Sequence, residues 1–222
     1  MSIKKHKKLE EYLQNKVSLN FTRVADEKMD KVDRTRPAVT FVEFFYELSQ
    51  GDFPEQQNGY SNPPTQATYA TLYYHHNKNE GANRFTEDYE DCWTRRAEVT
   101  YPSLIRDMHF TYLLQDLNDE LDLFDSVEYD PIKDIQHGAD SIIESDGTTY
   151  YVNLYVDTKK SRSFLSEKKD HRHPEHNHTE IHLPIQRNDE RNKNLELVDG
   201  SDIWLYSDEH VQEVINIIKE DN

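Results

Sequence analysis

Cysteine is nearly absent, since Cys92 is the only one in 222 residues. An internal disulfide is therefore impossible, and a zinc site built on several thiolates is excluded. Glycine is almost as scarce, at six residues. No phosphate-cradling glycine loop, dinucleotide fingerprint or nucleophile elbow occurs, so cofactor enzymes assembled on glycine-rich turns are not expected. No apolar run approaches the roughly 20 residues needed to cross a bilayer. The basic N-terminal stretch MSIKKHKKLEEYLQNK lacks the apolar segment of a secretory signal. The expectation is a soluble cytoplasmic protein with no membrane partner.

Positive charge is also short. Formal net charge is −17, which opposes non-specific adhesion to nucleic acid or anionic lipid. The total hides an asymmetry. Residues 116–146 hold eleven Asp and Glu against Lys133 alone, while residues 157–172 hold six Lys and Arg against three acids. A nucleic-acid contact needs a local basic patch, not a basic total, so DNA stays open as a partner. What the chain has in quantity is aromatic: 14 Tyr, 9 Phe and 2 Trp. These bury a large area per residue, which compensates for a hydrophobic fraction of 35% and a mean hydropathy of −0.98.

Leu9, Tyr12, Leu13 and Val17 recur at helical spacing over residues 4–18. Pro37 suits the first turn of a second helix carrying Val39, Val42, Phe44, Phe45 and Leu48. Residues 51–66 are dense in turn formers, and residues 67–100 are ambiguous between helix and strand. Pro102 is read as the start of a helix over 102–118, with Leu104, Ile105, Met108, Tyr112, Leu113 and Leu117 as its apolar stripe. Strands follow at Phe124–Tyr129, Ala139–Glu144 and Thr148–Asp157, the last two joined by the hairpin dipeptide Asp146-Gly147. A helix is expected over Ser161–Lys169, an irregular polar segment over 170–194, a fourth strand at Ile203–Tyr206 and a final helix capped by Ser207. The organisation expected is a helical N-terminal elaboration over 1–100 on an α/β core over 101–222, with a polar His-rich loop at 170–194.

The order helix, three strands, helix, strand, with Asp140 opening the second strand, resembles the PD-(D/E)xK nuclease superfamily over about half the chain. The resemblance implies a restriction-endonuclease-like mixed four-stranded sheet flanked by helices. It implies divalent-metal-dependent hydrolysis of nucleic-acid phosphodiesters, with Mg²⁺ or Mn²⁺ as cofactor and DNA as substrate. In that superfamily an acid on the second strand and an acid-x-Lys on the third hold the cation and activate water. Asp140, Asp157 and Lys159 take those positions as catalytic candidates, with Asp140 and Asp157 as metal ligands. Carboxylate oxygens suit such a hard cation, and the metal lowers the pKa of its bound water. Lys160 and Arg162 are the candidate phosphate contacts, and Glu98 and Glu144 are further candidate ligands.

The residues themselves leave alternatives. A two-residue turn at Asp146-Gly147 sets Asp140 opposite Asn153, so the acid and the lysine of the motif would fall at Asn153 and Tyr155. Asp157 would then lie roughly 13 Å further along the strand, unless a bulge changes the register. Asp140 and Asp157 also read as strand-terminal acids facing water. Arg95 and Arg96 read as surface pairing groups for the acidic strip before flanks of the site, and Asp107 with His109, on the helix around Arg106, cannot share a helix face. His171, His173, His176, His178 and His182 form a tract in which His176, His178, Glu180 and His182 share a face if extended. It reads as a solvated loop before a Zn²⁺ or Ni²⁺ site. The second functional expectation is a non-enzymatic acidic protein, a degenerate nuclease fold or DNA mimic, whose 116–146 face docks a basic protein.

Overall fold

The computed structural model describes residues 4–20, 40–50, 62–80, 90–158, 178–186 and 188–221. The elements are α1 (Lys5–Lys16), α2 (Phe41–Gln50), α3 (Gln66–Glu80), α4 (Glu90–Leu121), β1 (Ser126–Glu128), α5 (Pro131–His137), β2 (Ser141–Ser145), β3 (Thr148–Val156), β4 (His178–Ile185), β5 (Lys193–Glu196), β6 (Asp202–Leu205) and α6 (Asp208–Asp221). The chain is mixed α/β and divides into two compact units. One comprises Met1–Lys8, Arg106–Leu195 and Trp204–Asn222; the other comprises Leu9–Ile105 and Glu196–Ile203.

The first unit is built on a four-stranded mixed sheet in the order β1-β2-β3-β4. The first three strands form an antiparallel meander, and β4 runs parallel to β3. Strand side chains alternate between faces. Val127, Ile143, Tyr150, Val152, Leu154, Val156, Ile181, Leu183 and Ile185 therefore share one face, which carries the core. Phe110, Leu113, Leu114 and Leu117 of α4 pack there, as do Val211, Val214, Ile215 and Ile218 of α6. Both helical sets follow the i, i+3, i+4 spacing of a single stripe. Burying each such side chain contributes roughly 1.5–3 kcal/mol.

The second unit packs aromatic rings between helices. Phe44 and Phe45 of α2 meet Tyr69 and Tyr73 of α3, and Phe45 also meets Tyr101 of α4. Two of the buried phenols bond main-chain carbonyls, which satisfies their hydroxyls. Tyr69 donates to the Phe41 carbonyl at 2.9 Å and Tyr101 to that of Pro64 at 2.6 Å. The α2 start is a capping box, in which Thr40 and Glu43 exchange side-chain to main-chain bonds. Pro37 lies outside the described residues.

Three expectations need correction. Pro102 does not begin a helix; it sits inside α4, which starts at Glu90. Proline there removes the N–H that would have bonded the Glu98 carbonyl. The buried Gln66 side chain donates to that carbonyl at 2.8 Å instead. Secondly, residues 178–185 are a strand, not irregular chain. This strand, β4, is the fourth of the sheet, while the Ile203–Tyr206 region contributes β6 to a separate two-stranded sheet with β5. Thirdly, α5 stands between the first two strands. Asp130 caps it by accepting from the Ile132 and Lys133 N–H groups, Pro131 sits at N1, and Gly138 ends it at φ 72°. The ambiguous 67–100 region is helical in its described parts. The helix expected over Ser161–Lys169 lies outside the described residues.

The hairpin turn matches its sequence. Ser145 pairs with Thr148, and Asp146 and Gly147 hold φ of 50° and 77°, as a type I′ turn requires. A Cβ at Gly147 would meet no atom within 4 Å, so its requirement is conformational. Gly147→Val is expected to lower stability by about 1–2 kcal/mol, measurable as a reduced urea midpoint at unchanged slope.

Candidate functional site

Asp140 enters β2 directly after the Gly138 turn. Its N–H bonds the Val152 carbonyl at 2.9 Å, although Val152 already faces Ser141. Its carboxylate accepts from the Leu154 N–H at 2.5 Å. The main-chain ladder thus stops at Asp140, and a side-chain oxygen takes the next bond. Thr111 of α4 fixes this corner, with its hydroxyl 2.6 Å from Ser141 Oγ and 3.0 Å from the Asp107 carbonyl.

Asp157 lies past the end of β3. Its N–H bonds the Ile185 carbonyl at 2.9 Å, and Gln186 donates to its carboxylate at 3.2 Å. Leu154, where the Asp140 carboxylate is anchored, is three residues back along the chain, roughly 10 Å. The two aspartates are therefore each engaged locally, one on β3 and one beside the end of β4. In the continued register the residue opposite Asp140 is Asn153, buried and donating to the Tyr151 carbonyl at 3.4 Å. Two positions on stands Tyr155. Lys159, Lys160 and Arg162 lie outside the described residues. Glu144 receives the Thr149 hydroxyl at 2.9 Å, and Glu98 receives Arg95 at 3.0 Å within the second unit.

What gathers around Asp140 is different from what the motif implies. Asp107 of α4 and Asp134 of α5 share its neighbourhood. Burial pushes the Asp107 carboxyl well up, the Asp134 charge pushes it further, and Arg106 opposes both. Tyr129 donates to Asp134 at 3.0 Å. Its phenol is raised far above its ordinary value by burial first, then by Asp134, Asp107 and Asp140. Burial also raises the Tyr206 phenol, with Asp107 and Asp140 adding to it, and its hydroxyl donates to the Leu183 carbonyl at 3.0 Å. Arg106 donates through Nε to the Trp204 carbonyl at 2.8 Å, and burial lowers its guanidinium pKa. Asp107, Asp134 and Asp140 thus all act on the Tyr129 phenol, and Asp107 and Asp140 act on that of Tyr206 as well. Burial and the neighbouring Asp134 charge both favour the protonated form of Asp107 over the ionised one. Periodicity does not single out Asp134; its signal was the Asp130-Pro131 cap and Gly138 stop of α5.

Asp134 accepts from Tyr129 and Asp140 accepts from Leu154, so both carboxylates are engaged within the protein. Among the described residues, no three His, Cys, Asp or Glu side chains are arranged to hold one metal ion.

The described part of the histidine tract is a strand. His178, Glu180 and His182 share a face of β4, as their spacing predicts, with Glu180 between them at 3.9 and 3.2 Å. Tyr151 stacks on His178 at 4.2 Å. His171, His173 and His176 lie outside the described residues. Compared with protein-family models, with curated proteins and with solved structures, the chain matches none. Among the described residues no helix is long and apolar enough to cross a membrane.

Proposed function

We propose that the α/β unit is a restriction-endonuclease-like scaffold that docks a basic protein partner and does not hydrolyse nucleic acid. The element order supports the nuclease-like scaffold: a helix, a three-strand meander, a connection of about twenty residues, and a strand parallel to the third. A connection of that length suits the crossover that parallel neighbours need. The observation that carries the loss of hydrolysis is the β2–β3 register, which sets Asn153 and Tyr155 where the motif needs an acid and a lysine. Neither an amide nor a phenol replaces a carboxylate on a hard cation or an amine beside its water. The docking half of the proposal draws on charge. Asp119, Glu120, Asp122, Asp125 and Glu128 are all exposed at the end of α4 and along β1.

A second reading is favoured by one observation, the joint electrostatic influence of Asp107, Asp134 and Asp140 on Tyr129. In it a displaced carboxylate set binds Mg²⁺ or Mn²⁺ when DNA arrives, and the chain is a nuclease. Incubation of plasmid and single-stranded DNA with either cation separates the two. The scaffold reading expects no cleavage. Cleavage abolished by Asp140→Ala and Asp157→Ala overturns it in favour of the motif mapping. Cleavage lost with Asp107→Asn and Asp140→Ala but kept with Asp157→Ala establishes the displaced set.

A further inference from the structure

The seven-residue helix α5 buries none of its residues. Ile132 and Ile135 are 59% and 41% exposed, and with the exposed Gln136 they lie on one helix face, at i, i+3 and i+4. Single exposed apolar side chains are ordinary. Here three of the six large exposed hydrophobics among the described residues, Leu121, Ile132 and Ile135, fall within one short stretch of chain. The same stretch carries Asp119, Glu120, Asp122, Asp125 and Glu128, all exposed. Its bases are few: Lys4 pairs with Glu120 at 2.8 Å and Lys133 with Glu128 at 3.6 Å.

The elements involved are contiguous. They are the last turn of α4, a short link, the three-residue β1 and the two turns of α5. Laid end to end with their links they run for at most about 45 Å of chain. One side of an ordinary protein interface covers about 800 Å². Apolar anchors within a charged rim are the arrangement of such interfaces. The acids make the rim negative, so its complement is positive.

We infer that this surface is the docking site for a basic amphipathic helix, whose aliphatic side chains pack on Ile132 and Ile135 and whose Lys and Arg meet the acids around them. The inference rests on the basic-partner reading above. It specifies the place of contact and adds an apolar requirement that charge alone does not impose. Packing of two helix faces also explains why α5 offers its apolar residues at helical spacing.

The probes are two synthetic Leu/Lys peptides about five turns long, one with the leucines on a single helix face and one with the same composition scrambled. Affinity is read by fluorescence anisotropy at physiological ionic strength. The amphipathic peptide is expected to bind about tenfold more tightly than the scrambled one. Ile132→Ser/Ile135→Ser is expected to erase that difference while leaving the thermal midpoint unchanged. Asp119→Asn/Asp122→Asn/Asp125→Asn is expected to weaken both peptides. Equal binding of both peptides, with no effect of the isoleucine change, overturns the docking site while leaving the basic-partner reading standing. If neither peptide binds, both fall.

Discussion

Replacing Asp116 with alanine is expected to lower the stability of the α/β unit by about 3 kcal/mol, the scale of leaving buried donors without their shared acceptor. For a chain of this size that is a fall of roughly 6–12 °C in the thermal midpoint. Asp116 sits on α4 and serves as the N-terminal cap of α1. Its two oxygens accept from the Lys5 and His6 N–H groups, each at 2.9 Å, and from the His6 ring at 2.6 Å. Both side chains of the pair are below 10% exposed. Without the carboxylate, two helix-end donors and an imidazole lose their partner in a place that water reaches poorly. Asp116→Asn keeps one acceptor and should fall between alanine and the native residue.

The pH dependence follows from the same contacts. Burial alone would raise the Asp116 carboxyl, but the bonds from the His6 side chain and from the His6 and Lys5 N–H groups together hold it below its ordinary value. A depressed native pKa gives stability that is present above the unfolded carboxylate pKa near 3.9 and lost as pH falls through the native value. The difference between native protein and Asp116→Asn should therefore be undiminished above about pH 5 and shrink as the solution is acidified below about pH 4. Thermal unfolding over this range measures it. An equal gap at every pH would show that the carboxylate charge contributes nothing.

The second large effect is expected from Asn153→Asp. Position 153 is 4% exposed, and the Asp140 carboxylate is bonded to the N–H of the very next residue. A new carboxylate there is buried beside an existing one, which costs about 3 kcal/mol at neutral pH. Its pKa is raised in the native state, so the deficit appears as pH rises and disappears where the group protonates. Combined with Tyr155→Lys, it rebuilds the acid-x-lysine order at the register position the superfamily uses. Millimolar Mn²⁺ should then raise the thermal midpoint of the double variant and leave the native protein unchanged. A variant as stable as the native protein at neutral pH would mean that residue 153 does not face Asp140.

Much of the sheet is readable in the residues because its signals are local. Asp146-Gly147 fixes a two-residue turn, and that turn alone determines which residues face each other across β2 and β3. The α6 stripe and its Ser207 start are equally local, with the His210 N–H on the Ser207 carbonyl at 3.0 Å. The misreadings arise where a distant partner decides. Pro102 looks like a beginning until Gln66, far away in sequence, supplies the missing donor to Glu98. Strand β4 alternates Ile181, Leu183 and Ile185 with His178, Glu180 and His182, yet its polar half and Pro184 disguise the period. Helix α5 announces itself through Asp130, Pro131 and Gly138, but at seven residues its two isoleucines make too short a stripe to stand out. The carboxyl group around Asp140 was invisible for the same reason: Asp107, Asp134 and Asp140 come from three elements, and only folding brings their charges to bear on Tyr129.

The reading of this chain as a non-hydrolytic scaffold turns on one alignment of two strands. Cross-strand NOEs in a uniformly labelled sample report it without any assumption about activity. Main-chain contacts linking Ile142 with Tyr151 and Ser141 with Val152 are the expected result, as the pairing of β2 with β3 requires. Contacts linking Ile142 with Tyr155 instead, a slip that carries Asp140 up to Asp157, would restore the paired aspartates and contradict the account.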